Sequence, residues 1–148
     1  MAYRLPREPS APRLALWRAL RRLGALQVSD GLVALPHTAR NLEHLEWLAA
    51  GIGESGGTAS VWLAQPTSGS THEAFADALR QAVDEEYHRV LRDSEEVRSM
   101  EGVERRRAVR RMRGALRRIA SRDYFAAPAG ERARAEVGRL GQVAEVPA

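Results

Sequence analysis

The sequence predicts an α+β protein: a small ferredoxin-like βαββαβ unit followed by a C-terminal helical hairpin and one short helix. Two observations predict it. Residues 1–66 alternate short strand signals with two helical periods, in the order strand, helix, strand, strand, helix, strand, and no strand signal remains after Pro66. The boundary falls in the turn-rich stretch Pro66-Thr67-Ser68-Gly69-Ser70, so that residues 1–66 form the first unit and 67–148 a helical extension packed on it.

Tyr3-Arg4-Leu5-Pro6 reads as a short entry strand, closed by Pro6, Pro9 and Pro12, which lack the amide proton a ladder needs. Ser10 is a candidate cap and Pro12 suits a first turn. From Arg13 to Leu23 the residues Leu16, Trp17, Leu20 and Leu23 recur at helical spacing, and Gly24 stops the helix. Ala25–Val28 and Leu32–Leu35 flank Ser29-Asp30-Gly31, and Asp-Gly between apolar runs signals a hairpin. Residues 39–52 return to helical period with Leu42, Leu45, Leu48 and Ile52 inward and Thr38 or Asn41 as cap, until Gly51, Gly53, Gly56 and Gly57 break it. Thr58 to Ala64 alternates as a strand, with Ala59, Val61 and Leu63 on one face and Gln65-Pro66 ending it.

The rest is helical. An acidic helix over residues 71–98 carries Phe75, Leu79, Val83, Tyr87, Val90 and Leu91 as its apolar stripe. A basic helix over 103–123 carries Val109, Met112, Leu116 and Ile119, and a weaker helix follows from Glu131 to Val143. The tryptophans Trp17, Trp47 and Trp62 are expected in core or interface packing, Trp62 on the open face of the sheet.

Hydrophobic residues make up 44% and charged residues 28% of the 148, enough to bury a core, which excludes disorder for most of the chain. No apolar run approaches the roughly 18 to 20 residues that span a bilayer, and the N-terminus has no signal-peptide stretch. A cytoplasmic protein without a membrane partner is expected. The absence of cysteine excludes disulfides, thiolate nucleophiles and cysteine metal sites.

The basic side chains are all arginine, which has the look of GC-rich coding, so their distribution says more than their number. Residues 67–101 hold four arginines and nine acids; residues 102–125 hold nine and two. An acidic block therefore precedes a strongly basic one. Arg105, Arg106, Arg107, Arg110, Arg111, Arg113, Arg117, Arg118 and Arg122 flank the apolar stripe of the basic helix, so one face can pack while the others present guanidinium groups to a phosphate backbone. The alternative is self-neutralisation: in an antiparallel hairpin Asp84, Glu85, Glu86, Asp93 and Glu96 would meet those arginines. Arg18, Arg21 and Arg22, with Arg13, form a secondary basic set that extends the surface if both sets point the same way.

Catalytic, cofactor and metal sites are not expected. His37, His44, His72 and His88 are scattered without ligand spacing. Glu85-Glu86 sits in a charge-dense helix, which explains it better than acid–base chemistry. Ser55 in Gly53-Glu54-Ser55-Gly56-Gly57 lacks the strand that a nucleophile elbow requires, and a phosphate loop needs a lysine.

Leu5-Pro6-Arg7-Glu8-Pro9-Ser10, Trp17 to Ala25, Asp30 to Pro36, the Gly56-Gly57-Thr58-Ala59 step and the helical tract ending in Arg122-Asp123-Tyr124-Phe125 resemble the N-terminal domain of the ChrB family of chromate-resistance regulators. The resemblance covers roughly residues 3–125, and similar segments occur in the central domain of PaaX-type repressors. It implies bacterial transcription control, with a second, C-terminal domain in full-length relatives. The expectation is a non-enzymatic regulator that binds DNA through residues 105–118, as a possible homodimer. The alternatives are a protein-interaction or dimerisation module and a sensor of an oxyanion such as chromate or sulfate, which arginines bind as they bind phosphate.

Overall fold

The structure, a computed structural model, describes residues 1–143. Residues 1–75 and the residues from Ala76 onward form two units, each with an apolar cluster of its own. The protein is α+β and mostly helical, with five helices and one four-stranded antiparallel sheet among the described residues.

The first unit runs β1 (Ala2–Arg4), α1 (Ala11–Leu23), β2 (Leu26–Ser29), β3 (Leu32–Ala34), α2 (Ala39–Glu54) and β4 (Thr58–Ser60). The sheet order is β2-β3-β1-β4. Since β1 and β2 are both antiparallel to β3, they run parallel to each other with β3 between them; β3 and β4 are likewise parallel across β1. Each helix thus makes a crossover between two parallel strands that enclose a third. Leu16 and Leu20 of α1, Leu45 and Ile52 of α2, Val33 of β3 and Met1 bury together as the core.

Local chemistry explains the element ends. Gly24 closes α1 in the left-handed region at φ 71°, its N–H directed to the carbonyls of Leu20 and Arg21. Thr38 caps α2 by accepting from the Asn41 amide at 3.0 Å. Ser10 precedes α1 but offers no side-chain cap; its carbonyl accepts from Leu14 instead. Gly31 turns the β2–β3 hairpin at φ 73°, and its carbonyl accepts from Tyr3 at 2.7 Å. A Cβ at this position would stand 2.5 Å from the Tyr3 carbonyl oxygen.

Two expectations are corrected. The last strand stops at Ser60 rather than Ala64: Ser60 pairs with Ala2, the first residue of its partner β1, and residues 61–64 lie outside the ladder. Leu63 is consequently exposed, and Val61 is only half-buried. Trp17, Trp47 and Trp62 lie outside the core, with 52%, 73% and 71% of their surface exposed, so of the two expected roles the core one is overturned. Trp17 and Trp47 sit beside rather than on the buried stripes of their helices.

The second unit is built from α3 (Gly69–Arg98), whose first turns to Phe75 belong to the first unit, with α4 (Gly102–Ala120) and α5 (Ala129–Val143). Val83, Tyr87, Val90 and Val97 of α3 join Ala108, Val109, Met112, Leu116 and Ile119 of α4 and Ala133, Val137 and Leu140 of α5 in one cluster. The basic helix ends three residues earlier than the expected Asp123. Asp123 is drawn into the turn that leads to α5, where its carboxylate accepts from the Ala127 amide at 2.9 Å and from the Tyr87 hydroxyl at 3.2 Å.

Candidate nucleic-acid interface

Helix α4 buries one face and exposes the other because its apolar residues repeat at three and four positions. At about 100° per residue, Ala108, Val109, Met112, Leu116 and Ile119 occupy one arc, and arginines occupy the opposite one. Leu116 and Met112 pack inward while Arg106, Arg107, Arg110, Arg111, Arg117 and Arg118 are exposed. From Arg106 to Arg118 the ridge runs about 18 Å along the helix axis.

The acids of α3 do not neutralise this ridge. Asp84 accepts from the Ala129 amide at 2.7 Å and lies 3.4 Å from His88. Glu86 pairs with Arg122 at 2.6 Å, Glu85 accepts from Gln81 at 3.5 Å, and Asp77 pairs with Arg80. Among the described residues, no carboxylate lies within salt-bridge distance of the eight candidate arginines from Arg105 to Arg118. The self-neutralised hairpin is therefore not what these helices form.

Two of the eight are nonetheless turned aside. Arg105 is half-buried and donates from Nε to the Leu140 carbonyl at 3.3 Å. Arg113 is exposed but lies across α5, its Nη2 filling the space a side chain at Gly141 would need. Arg122, counted with the basic helix from sequence, stands beyond its end in the pair with Glu86.

In the first unit, Arg18 and Arg22 are exposed on α1, on the side away from Leu16 and Leu20. Arg21 stacks over the Trp17 ring at 5.1 Å.

Buried polar groups elsewhere in the second unit have no signal in the sequence. Glu136 of α5 is 4% exposed and accepts from Arg98 at 2.9 and 3.1 Å, with Arg139 on its other oxygen. The Arg98 hydrogen bonds, helped by the charge of Arg139, hold its carboxyl below the usual range. Burial, with the Asp123 carboxylate beside it, pushes the Tyr87 hydroxyl above its usual range. Arg134 donates to the same hydroxyl at 3.4 Å. A cleft of about 430 Å³ opens here, lined by Ala120, Asp123, Ala126, Ala127, Pro128, Glu131 and Arg134. Two carboxylates against one arginine make it a poor seat for an oxyanion. None of these residues stands in a recognisable spacing; only the folded second unit brings them together.

The fold and surface define an α+β protein whose charge is concentrated on one helix of an all-helical unit. The family model described as Protein ChrB, N-terminal, matches residues 13–146, nearly the whole chain, and the chain belongs to that family. Membership points to a regulator of the chromate-resistance type. No curated protein and no solved structure matches the chain. Among the described residues, no helix is long and apolar enough to cross a membrane.

Proposed function

We propose that this protein is a cytoplasmic, non-catalytic transcriptional regulator that binds duplex DNA through α4. The observation that carries the reading is the ridge of Arg106, Arg107, Arg110, Arg111, Arg117 and Arg118, exposed and without a carboxylate partner among the described residues. Six cations spread over about 18 Å suit a polymer that repeats its negative charge every few ångströms better than one small anion. The first unit, with its split crossovers, reads as ferredoxin-like and supports α1 as a secondary contact through Arg18 and Arg22.

Fluorescence anisotropy with a labelled duplex over a salt series tests this. One phosphate per arginine sets the steepest slope of log K against log salt at about −5, and any phosphate shared between arginines makes it shallower by about 1. Arg106→Glu with Arg110→Glu should weaken binding at every duplex sequence tried and make the slope shallower by about 2. An unchanged affinity in that double variant, with the fold intact by circular dichroism, removes α4 from the interface.

A further inference from the structure

On a helix surface each residue is ringed by those three and four positions away on either side. For Gly114, which has no side chain and lies opposite the buried stripe of α4, all four of these neighbours are arginine: Arg110, Arg111, Arg117 and Arg118. All four are exposed, and none has a carboxylate partner among the described residues. Helical side chains lean toward the N-terminus, which swings Arg117 and Arg118 back over the glycine. Their guanidinium groups come to 3.4 Å (Arg118 Nη1) and 4.0 Å (Arg117 Nη2) from where a Cβ of Gly114 would stand. Two like charges converge there over a residue without a side chain, and no carboxylate among the described residues pairs with either.

We propose that Gly114 is the floor of an anion seat in which Arg117 and Arg118 hold one phosphoryl group of the DNA backbone, with Arg110 and Arg111 adding positive charge from the preceding turn. The inference rests on the DNA-binding reading and adds a fixed point to it: the ridge is a docking site with one geometrically defined phosphate position, not only a diffuse field. Guanidinium forks donate paired hydrogen bonds to a tetrahedral oxyanion, and the missing side chain lets the phosphate oxygens approach the helix between the forks. A side chain at 114 would occupy that space while leaving every charge in place.

The test separates space from charge. Gly114→Leu fills the floor and keeps all arginines, and leucine is a better helix former than glycine, so the fold should be retained or stabilised. Duplex binding by anisotropy is measured for the wild type and Gly114→Leu across a salt series, beside calorimetric titration of each with inorganic sulfate at low ionic strength. The expected result is roughly tenfold weaker duplex binding in Gly114→Leu, a salt slope shallower by about 1, and loss of the sulfate heat seen with the wild type. Equal duplex affinity in the two proteins overturns the seat and leaves the ridge reading intact. Sulfate binding that Gly114→Leu abolishes, in a wild type that binds no duplex even at low salt, keeps the seat for a free oxyanion and overturns DNA as its source. Binding of neither probe by the wild type overturns both.

Discussion

Gly31 meets two geometric demands at once, a left-handed backbone at φ 73° and the approach of β1, whose Tyr3 carbonyl would stand 2.5 Å from any Cβ there. An L-residue in that conformation costs about 1–2 kcal/mol, and displacing a backbone carbonyl that borders the sheet adds to it. Gly31→Ala is therefore expected to lower stability by roughly 2–3 kcal/mol, read as a lower urea midpoint with an unchanged slope. Tyr87 is the corresponding residue in the second unit. Its ring is fully buried, and its hydroxyl joins Asp123 to Arg134. Because its folded pKa is raised, first by burial and then by Asp123, it adds stability that is present below about pH 10 and lost as the pH rises through the folded value. Tyr87→Phe should cost about 1 kcal/mol at neutral pH and make the alkaline unfolding limb less steep, measured by thermal melts between pH 7 and 11.

At the scale of elements, α5 is tied to the C-terminal end of α3 by Glu136. This carboxylate is buried, but Arg98 and Arg139 reach it from solvent, with 59% and 72% of their side chains exposed, so screening limits what the pairs contribute. A carboxyl whose folded pKa lies below its ordinary 4.5 adds stability above that pH and loses it as the pH falls through the folded value. Glu136→Gln should cost about 1 kcal/mol at pH 7, and the difference between the two proteins should shrink as the pH falls below 4.5, as followed by chemical denaturation at each pH. The elements themselves were largely legible. Five helices, the Asp30-Gly31 hairpin and the buried stripe Val109, Met112, Leu116 and Ile119 follow from period and turn chemistry alone. The length of β4 was not, because it depends on pairing with β1 rather than on its own alternation. The same reason hid the fate of the arginines. Arg105 and Arg113 are turned aside by Leu140 and Gly141, and Glu136 reaches Arg98 across 38 residues, distances at which a helical wheel carries no information.

Over the whole molecule, charge and core are divided between the same two units. Each has its own buried cluster, while the exposed arginine ridge belongs to the second unit and the secondary set Arg18 and Arg22 to the first. A ligand stabilises what it binds: at a hundredfold excess over Kd the native state gains about 2.7 kcal/mol, and the gain vanishes when salt releases the ligand. Amide exchange reports where that gain is placed, because helices opening on their own exchange with their own free energies. Duplex DNA added at low salt should therefore slow exchange in α3, α4 and α5, with the largest effect along α4 from Arg106 to Arg118, and raising the salt should reverse it. Added protection in α1 as well would bring Arg18 and Arg22 into the same footprint. Protection confined to the first unit would move the interface off α4 and onto the basic face of α1, so one exchange map decides which of the two basic helices meets the phosphates.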